Sequence, residues 1–304
     1  MPLACFRAHP AALAKPHKGA FVLNATARNT FDDSLSQRDF RQLAAYIYDY
    51  CGIKMPDTKR SMLEGRLRKR LRATGCGTFS AYCNYLFREG GMDAESIHLI
   101  DVVTTNKTDF FREPNHFEYM EQVALPTLAR DGHRRIRTWS SACSTGAEPY
   151  TMAMVLAEAV ERNVIQDYSI LATDLSTDVL KKAHSGVYAR DLLEPVPAPL
   201  AKKYVMQPVD KHRNDVRISP ALRSKVGFAR LNLMDAKYQI GEPVQMIFCR
   251  NVLIYFDKKT QVHVLSRLCE NLVSGGYLFI GHSETVTGID LPIRQVANTV
   301  FKKN

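Results

Sequence analysis

Trp139-Ser140-Ser141-Ala142-Cys143-Ser144-Thr145-Gly146-Ala147-Glu148-Pro149-Tyr150 reads as a strand end, a polar turn and a helix start. An apolar strand is expected over 136–142 and a helix over 147–162. Gly146 between them lets a ligand approach the backbone, and the helix that follows presents its positive N-terminus. The turn is neither G-x-G-x-x-G nor a P-loop, so dinucleotide and ATP binding lose support. Working outward, the pattern alternates. A helix is expected over 114–130, a strand over 169–173, a helix over 176–184, strands over 226–231 and 244–249, a helix over 257–273, and strands over 277–280 and 296–302. This βαβ series predicts a mostly parallel sheet with helices on both faces, an α/β fold.

Residues 36–103 lack strands. Phe40, Leu43, Ala44, Ile47 and Tyr50 recur at helical spacing, and Gly52 is a stop signal. A second helix is expected over 56–73, with Leu63, Leu67 and Leu71 facing a core. Two short helices follow, over 78–88 and 95–103. The expected organisation is therefore a tail over 1–34, a helical domain over 35–104 and an α/β domain over 105–304. The last contains an insert over 187–225. There Pro195, Pro197 and Pro199 are read as helix breakers, and 203–209 and 215–219 are read as paired strands.

The 304 residues are 45% apolar, enough for a full core and too many for global disorder. No apolar run approaches the roughly 18–20 residues that span a bilayer, and the N-terminus lacks the apolar stretch of a signal peptide. Seven cysteines form no C-x-x-C pair, so buried reduced thiols in a cytoplasmic protein are expected, with no disulfide frame and no metal. Net charge is +10, which suggests an anionic partner. Half of it falls on the second helix, where Lys59, Arg60, Arg66, Arg68, Lys69, Arg70 and Arg72 face only Asp57 and Glu64.

Three strand ends carry candidate chemistry. Asp174 ends the second strand and suits a ribose diol, although an acidic residue before a helix also serves as a cap. Arg250-Asn251 follow the apolar run Met246-Ile247-Phe248-Cys249, which puts the arginine in the crevice or in a salt bridge to a neighbouring helix. His282, Ser283 and Glu284 follow the next strand without a G-x-S-x-G elbow, so hydrolase chemistry has little support. Asn106, Thr108 and Arg112 lie in a polar loop, placed either to meet a ligand or to connect domains, and Phe110 and Phe111 read as packing residues.

The segments Thr104-Thr105-Asn106-Lys107-Thr108-Asp109-Phe110-Phe111-Arg112, Trp139 to Tyr150 and Phe248-Cys249-Arg250-Asn251-Val252-Leu253-Ile254-Tyr255-Phe256, in this order and with the acidic strand end Asp174 between the second and third, resemble one family. It is the chemotaxis-receptor glutamate O-methyltransferases, which use S-adenosylmethionine and release S-adenosylhomocysteine. The resemblance covers about 36–301. It implies a class I (Rossmann-like) methyltransferase sheet with an antiparallel edge hairpin, a small N-terminal all-helical domain and a small antiparallel β-insert. It carries cofactor binding onto Asn106, Thr108, Arg112, Glu148, Asp174, Asn232, Leu233, Arg250 and Asn251. Arg112 and Arg250 are expected to orient carboxylates during catalysis, and Tyr255 to act on the substrate side.

The implied nucleophile is a glutamate γ-carboxylate, already ionised at neutral pH with its usual pKa of about 4.3. No general base is then needed, and the task is alignment. The implied partner is the acidic cytoplasmic signalling domain of a chemoreceptor, with docking on Arg66, Arg68, Lys69, Arg70 and Arg72. The implied place is the cytoplasm, at membrane receptor arrays, as a monomer without membrane insertion. Some family members bind a receptor tether through a glycine-rich turn of the β-insert. The corresponding turn here, 207–214, has no glycine, so tether binding is not expected. The rival reading, a nucleic-acid methyltransferase, lacks both the Asn/Asp-Pro-Pro-Tyr/Phe tetrad of adenine-N6 enzymes and the Pro-Cys nucleophile of cytosine-C5 enzymes. A third reading is a cofactor-binding sensor without turnover.

Overall fold

The chain alternates between sheet strands and covering helices after residue 113, and from Gln37 to Val103 its regular elements are all helices. A computed structural model describes residues 33–304 apart from position 211. The tail expected over 1–34 lies, through residue 32, outside the described residues.

The strands are β1 (Arg135–Ser140), β2 (Asp167–Asp174), β3 (Val187–Ala189), β4 (Val205–Met206), β5 (Asp215–Ile218), β6 (Val226–Arg230), β7 (Val244–Cys249), β8 (Leu272–Ile280), β9 (Ile293–Ala297) and β10 (Val300–Lys303). Seven form one sheet in the order β6-β2-β1-β7-β8-β10-β9. Its first five strands are parallel, and β10 runs antiparallel to both β8 and β9. Every residue of β7 is buried, as expected for a central strand covered by helices on both faces. The strand order reverses around β1. The chain steps from β1 outward through β2 to β6, then returns to β7 on the other side. Such a reversal opens a crevice beyond the carboxyl ends of the strands. Ser140, Asp174 and Cys249 all end strands at that edge.

The helical segment packs Gln37–Cys51, Arg60–Thr74, Phe79–Arg88 and Met92–Val103 around Phe40, Leu43, Ile47, Leu63, Leu67 and Tyr82. Ser36 caps the first helix by accepting from the Asp39 amide, and Gly52 ends it at φ 73°. The segment after Gly52 joins the sheet region directly. Ile53 bridges Phe256 in antiparallel fashion, Lys54 N–H donates to the Tyr255 carbonyl at 3.0 Å, and Asn232 Nδ2 donates to the Tyr50 carbonyl at 2.6 Å. A Cβ on Gly52 would fall 2.7 Å from Met234 Sδ, so this junction requires glycine for both conformation and space.

Three expectations need correction. The proline-rich insert does hold a helix, Ala198–Tyr204, with Pro199 in its first turn. Proline is tolerated there because that turn's N–H groups have no intrahelical partner. The strand expected over 203–209 shrinks to Val205–Met206, and the insert sheet has three strands, ordered β3-β5-β4. The segment read as one strand over 296–302 is two, turned at Asn298-Thr299 with Thr299 at φ 55°. No glycine or proline marks that turn in the sequence.

Candidate active site

The crevice is lined by all nine residues assigned to the cofactor, Asn106, Thr108, Arg112, Glu148, Asp174, Asn232, Leu233, Arg250 and Asn251, and by Tyr255. Its empty volume is about 1220 Å³, including the open mouth. The loop with Asn106, Thr108 and Arg112 enters from the helical segment, Asp174, Asn232, Leu233, Arg250 and Asn251 stand at or just beyond strand ends, and Glu148 lies in the first turn of the helix Ala147–Glu161. Four non-glycine residues in or beside this crevice take left-handed backbone, Phe111 (φ 52°), Glu113 (φ 56°), Ser144 (φ 49°) and Asn251 (φ 58°). An aromatic residue at positive φ is costly, and such strain gathers where function overrides local preference.

At the floor lies an ion cluster that sequence reading only half foresaw. The Arg250 side chain is 1% exposed and sits between Glu113 and Glu148. Its Nη1 donates to Glu148 Oε2 at 2.9 Å, its Nη2 to Glu113 Oε2 at 3.0 Å and also to the Arg112 carbonyl. Its face stacks over Phe117, 5.4 Å from the ring centre. The guanidinium expected to meet cofactor or substrate carboxylates is thus engaged by the protein's own. It fixes the backbone at Arg112, a residue that lines the crevice and whose Nη1 donates to the Lys107 carbonyl at 3.0 Å.

Glu113 was not singled out in the sequence, although it directly follows Arg112. It also accepts from Asn251 Nδ2 at 3.1 Å and from the His282 amide at 3.3 Å. Burial pushes its carboxyl up, but Arg250 and these donors more than reverse that and hold it below the usual range. Glu148, deeper and with only Ser140 Oγ (2.7 Å) and Arg250 as donors, is raised by its burial. The two carboxyls on one guanidinium therefore shift in opposite directions, because Glu148 is the more deeply buried and has fewer donors to offset that burial.

Asp174 accepts from the Ser144 amide at 2.8 Å and the Ser176 amide at 3.0 Å. Burial raises its pKa, and these amides offset part of the rise. The N-cap of the following helix is Ser176, so Asp174 braces two turns and still reaches the crevice. Asn232 is used locally, its Oδ1 accepting from the Met234 amide at 3.0 Å. Glu284, noted in the sequence only as a residue type, staples the two strand-end turns by accepting from the amides of Asn251 (3.0 Å) and Leu253 (2.7 Å).

Among the described residues one trio, Glu113, His116 and His282, brings possible metal-ligand atoms within 4.8 Å of one another. The Glu113 oxygen nearest both imidazoles is the one that Arg250 holds. A dication there would meet a fixed positive charge, so this cluster favours the ion pair over a metal.

His116 lies behind the cluster, 1% exposed, its Nε2 bonded to Thr299 Oγ1 at 2.8 Å. Burial first, and the Arg250 cation second, push its pKa down to about 4, against the pull of Glu113. The unfolded chain binds this proton below about pH 6.5, whereas the folded chain resists it until about 4. His116 thus leaves stability intact above 6.5 and removes it as pH falls toward 4, by about 3 kcal/mol in all. Urea unfolding between pH 7 and 4.5 should show this slope, and His116→Phe should flatten it. An equal slope in the variant would assign the acid sensitivity elsewhere.

The basic helix divides in two. Arg68 pairs with Glu64 at 2.7 Å, and Arg70 grips Glu95 through two bonds at 2.6 and 2.9 Å. Arg66 donates to the Val103 and Thr104 carbonyls and to Thr105 Oγ1. Lys69 and Arg72 are exposed.

Comparison with known proteins follows the same outline. Residues 106–301 match the family described as CheR methyltransferase, SAM binding domain, and residues 38–104 match its all-alpha domain. The chain is 36% identical to a chemotaxis protein methyltransferase of Borreliella burgdorferi, covering 89% of this chain and 96% of that protein. It is 38% identical to chemotaxis protein methyltransferase 2 of Pseudomonas aeruginosa, covering 88% and 93%. It is also 38% identical to the chemotaxis protein methyltransferase of Escherichia coli, covering 88% and 91%. No helix among the described residues is long and apolar enough to cross a membrane.

Proposed function

Because this chain belongs to the CheR methyltransferase family and uses S-adenosylmethionine, we propose that it methylates glutamate γ-carboxylates on the cytoplasmic helices of a chemoreceptor. The product is a glutamyl methyl ester that tunes receptor adaptation. The observation that carries this reading is the gathering of the motif residues into one crevice where, among the described residues, no cysteine is an activated nucleophile. Cys51 lines the crevice, and burial pushes its thiol up to about 11. Cys143 and Cys249 beneath it are likewise raised by burial. None of the three is poised as a thiolate, so a covalent relay through cysteine has no support. Direct transfer to a carboxylate that is already ionised needs none.

The residues divide the work. Bound S-adenosylmethionine supplies the electrophilic methyl group. Asp174 and the turn at 144–146 would hold its ribose, and Asn106 and Thr108 would contact it from the loop. Arg112 and Tyr255, both lining the crevice, orient the incoming carboxylate. Lys54, Lys59 and Lys107 around the same crevice favour an acidic substrate. The test is transfer of tritiated methyl to a purified receptor signalling domain, with the label released as methanol by mild base. Stable label on RNA instead of receptor would move the function to nucleic acid, and cofactor binding without transfer would favour a sensor.

Docking is assigned to the exposed part of the basic helix. Reversing Lys69 and Arg72 to glutamate should raise the receptor KM by about tenfold at low salt while kcat holds, because surface charge acts on encounter and register. Raised salt should shrink that difference. A KM equal to that of the parent protein would remove this face from docking.

A further inference from the structure

The loop that enters the crevice begins at the end of the helix Met92–Val103, and that end is unusually dependent on help. The helix has no basic residue in its last turn, and its C-cap is Thr104. Terminal carbonyls left without partners need donors, and a cation there is favoured by the helix dipole. Both come from another helix. Arg66 of Arg60–Thr74 donates to the Val103 carbonyl, to the Thr104 carbonyl at 3.1 Å and to Thr105 Oγ1 at 2.9 Å. On the opposite side, Ser144 Oγ from the glycine turn donates to the Asn106 carbonyl at 2.8 Å. Four consecutive residues, Val103 to Asn106, are thus clamped between a guanidinium and a serine, immediately before Thr108 and Arg112.

We propose that Arg66 is a positioning residue for the cofactor loop, acting on Asn106 and Thr108 through the backbone of 103–105, and not a receptor contact. This rests on the reading that the loop 104–112 holds S-adenosylmethionine. A planar fork that satisfies three acceptors in a row is a task for which lysine is a poor substitute.

The test is cofactor affinity measured by titration calorimetry on the full chain without receptor. Arg66→Ala should weaken cofactor binding by about tenfold, the usual consequence of losing charge-assisted hydrogen bonds that order a binding loop. Arg66→Lys should recover part of the loss while its cofactor-free melting curve stays near that of the parent, which separates positioning from unfolding. In turnover, the KM for cofactor should rise while kcat at saturating cofactor is nearly kept. An unchanged cofactor affinity in both variants, with a raised receptor KM, would overturn the proposal and return Arg66 to docking. Asn106→Ala serves as the reference for the loop itself. If Asn106→Ala weakens cofactor binding and Arg66→Ala does not, the positioning role alone fails. If neither does, the cofactor reading of the loop fails with it.

Discussion

Replacing Arg250 with methionine is expected to lower the unfolding free energy by about 3–5 kcal/mol and to abolish measurable cofactor binding. The Glu113 and Glu148 side chains are 12% and 11% exposed, so water cannot replace the lost cation. Each carboxyl would have to take a proton or drag the loop open. Because Arg250 also bonds the Arg112 carbonyl, the strained stretch from Phe111 to Glu113 loses its anchor. Denaturant unfolding reads the first effect and calorimetric titration the second. The triple change Glu113→Gln, Arg250→Met, Glu148→Gln removes all three charges together, and should regain much of the stability but none of the binding. A single variant as stable as the parent would mean that the cluster is better solvated than its burial indicates.

Asp174→Ala should weaken S-adenosylmethionine binding by about a hundredfold, the value of roughly two charge-assisted hydrogen bonds. Asp174 has two tasks that the variant separates. Its oxygens brace the amides of Ser144 and Ser176, and its position at the end of β2 faces the crevice. Loss of the bracing alone would lower the melting temperature and leave cofactor affinity near normal. Loss of a ribose contact weakens affinity in proportion, and most for adenosine-containing ligands. Asp174→Asn keeps one acceptor oxygen and should fall between the two. A variant with lowered stability and intact affinity would reduce Asp174 to a turn brace.

Much of the fold was legible because it rests on local rules. The helix starts near 36 and 78, the stop at Gly52 and the apolar run of β7 each follow from a few neighbouring residues. Where local signals were silent or double-edged, the expectation slipped. Pro199 opens a helix instead of preventing one, and the turn at Asn298-Thr299 has neither glycine nor proline to announce it.

The site divides in the same way. The sequence by itself determined which strand ends carry polar residues, and the family resemblance added the loop with Asn106, Thr108 and Arg112 and the helical Glu148 to that set. Only the tertiary structure decided what those side chains touch. Glu113 and Arg250 lie 137 positions apart and Glu148 and Arg250 lie 102 apart, and no local pattern encodes that meeting. It also divided the basic helix. Seven cations between positions 59 and 72 look alike in sequence, yet Arg66 and Arg70 turn inward to Thr104 and Glu95, while Lys69 and Arg72 stay in solvent. A helix fixes only the direction in which each side chain leaves its axis. Whether a partner waits there depends on what the rest of the chain has packed against that face.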